Sequence, residues 1–265
     1  MEETREKEHF LLVHGAGHGA WCWYKLVPLL RSAGHRVTAL DMAASGIHPK
    51  QMEEIGSVHE YFQPLLDAIA SLPPQEKVIL VGNSLGGLGV SLAMEKFPTK
   101  ISVAVFATAA MPGLGFPHSK IVREFYRSES NSLLDCKLVV NDDGTENPRR
   151  LIIFGHRFLA SKLYNLCKPE DLILASMLLR PASLFEEDTN KDQMLTEDNH
   201  GSVKRVYILC KADELMNEDH QRWIVQNNPP SEVKEINGDH LVMLSKPEEL
   251  CACLLEIAQT HCHRD

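Results

Sequence analysis

A chain of 265 residues with 44% hydrophobic and 24% charged residues has the make-up of a soluble globule long enough to bury a full core, and neither a linker nor a composition break divides it. The formal net charge of −9 argues against nucleic-acid and anionic-membrane partners, which select for basic patches. Met1 to Glu8 are charged without an apolar leader, no apolar run approaches the roughly 18 residues of a membrane span, and the seven cysteines are scattered without disulfide spacing, so reduced thiols and a cytoplasmic setting are expected.

In chain order, apolar runs alternate with helical patterns: a strand at 9–15, a helix near 21–33, a strand near 35–41, a helix near 57–72, a strand near 77–82, a helix at 85–97 and a strand at 101–109. This βαβ rhythm implies an α/β fold, a mainly parallel sheet with helices on both faces. From Met111 to about Gly201 the rhythm fails. A polar, Pro-punctuated stretch with helical segments near 119–128, 156–166 and 168–179 is expected to lie over the strand ends as a cap. The rhythm resumes with a strand at 203–210, a helix near 217–228, a strand near 232–236 and a closing helix at 246–261, with Ser245 as N-cap and Pro247 in the first turn. The reading is one domain over 1–265, with its core in about 9–110 and 202–265 and the cap inserted at about 111–201.

Chemistry enters at Gly82-Asn83-Ser84-Leu85-Gly86, a G-x-S-x-G sequence between the apolar run Lys77 to Val81 and the small-residue helix from Gly87. That is the strand-to-helix context of a nucleophile elbow, where a sharp turn excludes side chains at 82 and 86 and lifts the Ser84 hydroxyl above the sheet. A serine hydroxyl needs an imidazole to take its proton and a carboxylate to orient that imidazole, in the chain order Ser, acid, His. Asp213 follows a late strand, with adjacent Glu214 as the alternative acid. His240 follows the last strand, and the interval leaves room for one helix and one strand. The oxyanion of a tetrahedral intermediate needs two backbone donors. Leu85 N–H supplies one and the glycine-rich loop His14 to Gly19 the other, with Ala16 N–H expected.

Nucleotide binding by that loop is disfavoured, because it has neither a Lys-Ser/Thr pair nor G-x-G-x-x-G spacing. A zinc site in the tail Cys251, Cys253, His261, Cys262 and His263 is disfavoured because 251 and 253 face different sides of a helix. No cofactor or metal is expected. An apolar substrate pocket is expected from Phe106, the cap aromatics Phe116, Phe125 and Phe185, and Leu215 or Met243, while Trp21 and Trp23 are expected to pack beneath the sheet.

With these parts in place, the chain from about His9 onward resembles the plant methylesterase and hydroxynitrile lyase family of α/β-hydrolases. The resemblance is carried by Val13 to Trp23, Leu40 to Gly46, the elbow, Arg180-Pro181-Ala182-Ser183-Leu184-Phe185 and Gly238-Asp239-His240. Gly201 to Arg205 resembles the branch of alkaloid esterases of the polyneuridine aldehyde esterase type, in which hydrolysis can be followed by loss of carbon dioxide. The resemblance implies the α/β-hydrolase fold with a helical cap inserted after the sixth strand, cofactor-free hydrolysis of methyl esters of small, largely apolar acids, and a homodimer. The lyases of the family add a threonine where this chain has Gly15 and a lysine where it has Leu241, so a carbon–carbon lyase is the weaker alternative; a non-catalytic ligand receptor is another. Family esterases commonly carry histidine before the serine. Here that residue is Asn83, from which altered tuning or substrate shape is expected.

Overall fold

The computed structural model describes residues 7–127, 133–141, 149–185 and 195–262; residues 1–6 of the charged N-terminus, the end of the 119–128 segment and His263 lie outside the described residues. Apolar runs rich in valine, isoleucine and leucine form the strands β1 (His9–Val13), β2 (Arg36–Leu40), β3 (Val78–Ser84) and β4 (Ile101–Ala109), then, after the cap, β7 (Arg205–Cys210) and β8 (Glu232–Ile236). They assemble into one six-stranded sheet in the order β2-β1-β3-β4-β7-β8, every pairing parallel. A parallel sheet is covered on both faces, so its inner strands are apolar throughout. Edge strand β8 alternates instead, exposing Val233 and Glu235.

The period of two along each strand sorts the core into two clusters. Leu11, Val13, Leu80 and Ala104 face one side, with α3 (Gln63–Ala70), α4 (Gly86–Lys96) and α8 (Glu218–Asn227). Phe10, Leu12, Ile79 and Val103 face the other, with α1 (Leu26–Ser32) and α10 (Pro247–Cys262). Trp23 is fully buried in that second cluster and Trp21 packs against it. The predicted helix at 57–72 divides into α2 (Val58–Tyr61) and α3, because Pro64 has no N–H to continue α2 and starts a new first turn instead. Ser245 does not cap α10. It closes the short α9 (Val242–Ser245) and its hydroxyl donates to Asp239 Oδ1 at 2.6 Å.

The cap follows the fourth strand of the sheet rather than the sixth, since only β1 to β4 precede it. It is not wholly helical either. Between α5 (His118–Arg127) and α6 (His156–Phe158), the segments β5 (Lys137–Asn141) and β6 (Arg149–Ile153) pair as an antiparallel hairpin. Short apolar runs of this length carry no periodicity that separates strand from buried helix. A π-helical turn at Leu159–Leu163 and α7 (Pro169–Leu178) complete the segment.

The cap is held to the core by polar contacts. Arg180 Nη1 donates to His48 O at 2.6 Å and Nη2 to Lys50 O at 2.5 Å and Gln51 Oε1 at 2.9 Å, while Arg180 N donates to Gly17 O at 3.0 Å. Asp171 on α7 accepts from Tyr24 Oη at 2.7 Å and from Lys25 Nζ at 2.6 Å. No helix among the described residues is long and apolar enough to cross a membrane.

Candidate active site

Ser84 ends β3 and stands two residues before the helix α4, with a left-handed backbone (φ 54°) that an L-residue adopts only at a cost. The neighbours explain how the turn is accommodated. A Cβ on Gly82 would lie 2.7 Å from Val90 Cγ2, and one on Gly86 2.6 Å from Val13 O, so only glycine lets the strand, turn and helix come this close. The first turn of α4 leaves its N–H groups pointing back toward the serine.

Asp213 follows β7 in a loop in which it is itself buried, and it is held from three sides. Oδ1 accepts from Leu215 N at 2.7 Å and Met216 N at 2.8 Å, and Oδ2 accepts from Thr108 Oγ1 at 2.5 Å. The same Oδ2 lies 2.7 Å from His240 Nδ1. With Nδ1–H donating to Asp213, Nε2 carries the lone pair, the tautomer a general base needs. The turn that presents His240 is anchored by its neighbours. Asp239, buried before it, accepts from Leu166 N at 2.9 Å and from Ser245 Oγ, and burial raises its carboxyl above the ordinary range against the pull of these donors. Asn83, also buried, uses one amide nitrogen twice: Nδ2 donates to His240 O at 3.0 Å and to Ala107 O at 3.1 Å.

The glycine-rich loop is fixed through its carbonyls. His14 Nδ1–H donates to Gly15 O at 2.7 Å, and His14 Nε2 accepts from Met42 N at 3.1 Å. Gly15 O belongs to the same peptide plane as Ala16 N–H, so the His14 ring sets where that donor points. His18 Nδ1 lies 2.9 Å from Ala16 O and its Nε2 2.7 Å from Tyr164 Oη on the cap. Burial lowers His14 to about 4 and His18 to about 3, so both stay neutral at pH 7 and keep these tautomers. Neither Ala16 N–H nor Leu85 N–H finds an acceptor among the described residues, which leaves two donors free beside Ser84.

Ser84 sits between two apolar lobes. The first is lined by Ala16, His18, His240, Phe154, Phe158 and Leu163 among others, the second by Leu85, Ile121, Val122, Met216, His118 and His220. Phe125, Leu184 and Leu215 border both. Of the expected pocket residues, Phe125 and Leu215 therefore line the cavity. Phe106, Phe116, Phe185 and Met243 do not, and the sequence-based expectation is corrected for each. Phe106 lies inside β4 opposite Gly82 and Tyr207, Phe116 packs on Trp223 at 5.2 Å between ring centroids, Phe185 packs on Tyr61 at 5.1 Å, and Met243 is fully buried in the cluster beneath α10. Sequence reasoning missed Thr108, His118, Phe154, Phe158, Leu184 and His220. Thr108 carried a signal, as the only side-chain hydroxyl between Val103 and Ala110 in an apolar strand; the cap residues carried none, because their positions depend on how the insertion folds.

Residues 10–252 match the model of the alpha/beta hydrolase family. The chain belongs to that family. This hydrolase is 51% identical to methyl jasmonate esterase 1 of Vitis vinifera over 98% of its own length and 99% of that protein, and 50% identical to salicylic acid-binding protein 2 of Nicotiana tabacum over 97% and 99%. The crystal structure of polyneuridine aldehyde esterase superposes on it with a TM-score of 0.92 at 44% identity, covering 96% of this chain and 100% of that one. Fold and relatives together make this hydrolase a carboxylic ester hydrolase of the plant methylesterase group. At the two positions that distinguish the family's lyases, a Cβ on Gly15 would lie 2.8 Å from Ser84 Cβ, and Leu241 is buried in an apolar cluster. A threonine at 15 would crowd the serine, and a lysine at 241 would have to bring a charge into that cluster.

Proposed function

We propose that this hydrolase cleaves the methyl ester of a small, largely apolar plant carboxylic acid, with Ser84 as nucleophile, His240 as general base and then acid, and Asp213 orienting His240. In the reaction His240 Nε2 takes the Ser84 Oγ proton as Oγ bonds to the ester carbonyl carbon, and the oxygen that gains charge is received by Ala16 N–H and Leu85 N–H. Collapse breaks the bond to the methoxy oxygen, which leaves as methanol with the proton from His240. Water, activated by His240, then releases the acid and restores the serine. The observation that carries this reading is the 2.7 Å contact of His240 Nδ1 with an Asp213 whose two oxygens are held by three donors, beside a serine on a strained elbow.

The apolar lobes favour acids such as jasmonate, salicylate, indole-acetate or indole-alkaloid carboxylates, the last with loss of carbon dioxide after hydrolysis where a β-aldehyde acid is released. The seven unpaired cysteines support a cytoplasmic setting. Ser84→Ala is expected to lower kcat on the order of 10³-fold or more with the fold intact. A panel of these methyl esters followed by mass spectrometry reads both hydrolysis and any loss of carbon dioxide; near-normal turnover by Ser84→Ala would sink the assignment of the nucleophile.

A further inference from the structure

The second lobe beside Ser84 is apolar except for two imidazoles, and both are left with an unused nitrogen. His118 is 3% exposed; its Nε2 lies 3.1 Å from Leu184 O, to which it donates, and its Nδ1 has no partner among the described residues. His220 is 7% exposed, lies over Phe125 and Trp223 at ring-centroid distances of 6.2 and 5.7 Å, and has an unpartnered Nε2. Buried polar atoms without partners are rare in folded proteins and carry the cost of lost hydration. Two of them in the walls of one cavity that opens onto a nucleophile call for a common explanation. A structural role for His118 is served by its Nε2 bond alone; nothing in the packing uses Nδ1.

The ligand chemistry follows from the tautomer. Since His118 Nε2–H donates to the Leu184 carbonyl, Nδ1 is a lone pair and can only accept. Burial lowers His118 to about 4 and also lowers His220, so neither ring is a cation at pH 7 that would draw an anionic group. Around them stand Leu85, Ile121, Val122, Leu184, Leu215 and Met216, which offer no competing polar contact from their side chains. We infer that the second lobe is a subsite for the acyl part of the substrate, in which His118 through Nδ1, and His220 with its proton on Nδ1 and its lone pair on Nε2, recognise an uncharged hydrogen-bond donor, a hydroxyl or a ring N–H, set apart from the ester on an otherwise apolar skeleton. With methanol as the leaving group almost all of a substrate's bulk is acyl, so an apolar lobe beside the serine has acyl groups to hold. The inference rests on the esterase reading of Ser84 and adds to it the polarity and position of one group on the substrate.

The test uses matched methyl esters of arylalkanoic acids that carry a phenol or indole N–H at increasing distance from the ester, each paired with its O-methyl or N-methyl counterpart. At least one free-donor member is expected to exceed its blocked partner about tenfold or more in kcat/KM, chiefly through KM, because a site built to pair with a donor rejects the analogue lacking it. In His118→Phe and in His220→Phe, which keep an aromatic ring of similar shape, that ratio is expected to fall toward one. The same pairs titrated by calorimetry into Ser84→Ala, which binds without turnover, keep the question separate from catalysis: a preserved preference with no hydrolysis by the unsubstituted protein would refute the esterase reading and leave the subsite standing. Equal binding of every free and blocked pair, or a ratio that persists in both variants, overturns the subsite; the unsubstituted protein alone supplies the first outcome if either variant fails to fold.

Discussion

At the scale of single residues, Asn83, the residue before the nucleophile, has a geometry that gives it a function. One amide nitrogen bridges the carbonyl of Ala107 on β4 and that of His240 itself. A neutral amide does this at any pH, whereas an imidazole offers one N–H per nitrogen and titrates. Asn83→Ala leaves two buried carbonyls short of a donor, and about 1–3 kcal/mol of stability is expected to go with them. Because the lost tether holds the base rather than the substrate, kcat is expected to fall roughly tenfold with KM little changed, the pattern of a group acting on the transition state. Asn83→His restores a donor and is expected to recover part of the loss; steady-state kinetics of the two variants reading a KM effect alone would assign Asn83 to substrate binding instead. The chemistry-bearing residues themselves were readable in the chain because G-x-S-x-G, a late-strand Asp213 and a post-strand His240 are fixed by order and by the turn they occupy. Thr108, His118 and His220 were not, since each acts through a contact between segments far apart in sequence, such as the Thr108 to Asp213 bond across 105 positions.

Elements show the same division. The strands that bury both faces announce themselves by unbroken apolar runs, so β1, β3, β4 and β7 fall where the sequence places them. The cap does not, because β5 and β6 are each five residues long and are stabilised by one another and by the Ala182 bridge rather than by local propensity. What the sequence did flag was Arg180-Pro181-Ala182-Ser183-Leu184-Phe185, and that segment ties the cap to the core. The Arg180 guanidinium gathers the 46–51 loop through three carbonyls and the Gln51 side chain, while its own N–H ties Gly17 in the oxyanion loop. Arg180→Ala removes the guanidinium bonds and keeps the backbone one. Part of the side chain meets solvent, so a loss of about 1–2 kcal/mol is expected from charge-assisted bonds, or roughly 2–4 °C in Tm for a chain of this size. KM is expected to rise several-fold as the cap walls loosen, with kcat nearly unchanged, and hydrogen exchange is expected to speed up in α5 and β6. Lysine is not expected to rescue it, because a single ammonium cannot reach the spread of carbonyls that a planar fork spans. An Arg180→Lys protein with unaltered Tm and KM would show that the clamp is incidental.

Across the whole molecule, the unusual quantity is the number of histidines held neutral. Burial lowers His14, His118 and His200 to about 4 and His18 to about 3, from an ordinary value of 6.5. Two of these sit in the loop beside Ser84 and one in the substrate lobe, so function and stability draw on the same groups. Unfolding frees all four to bind protons below about pH 6.5, which the native state does not do until pH 4 or lower. The unfolded chain then holds more protons than the native one, so stability is present in full above 6.5 and drains away as pH falls toward 4. At pH 5 these four groups alone account for the uptake of about 3 to 4 protons on unfolding, a slope of roughly 1.4 kcal/mol per pH unit for each proton. Thermal denaturation followed from pH 8 to 4 is therefore expected to give a flat Tm above 7 and a steep fall between 6.5 and 4, ahead of the range where carboxylates such as Glu95 and Glu232, whose folded values are lowered by their hydrogen bonds and ion pairs against burial, begin to lose their contribution. Calorimetry in buffers of different ionisation enthalpy counts the protons directly. Uptake of fewer than about one proton at pH 5 would mean that these imidazoles are charged in the native protein, and with them would go the tautomers on which the oxyanion loop and the substrate lobe depend.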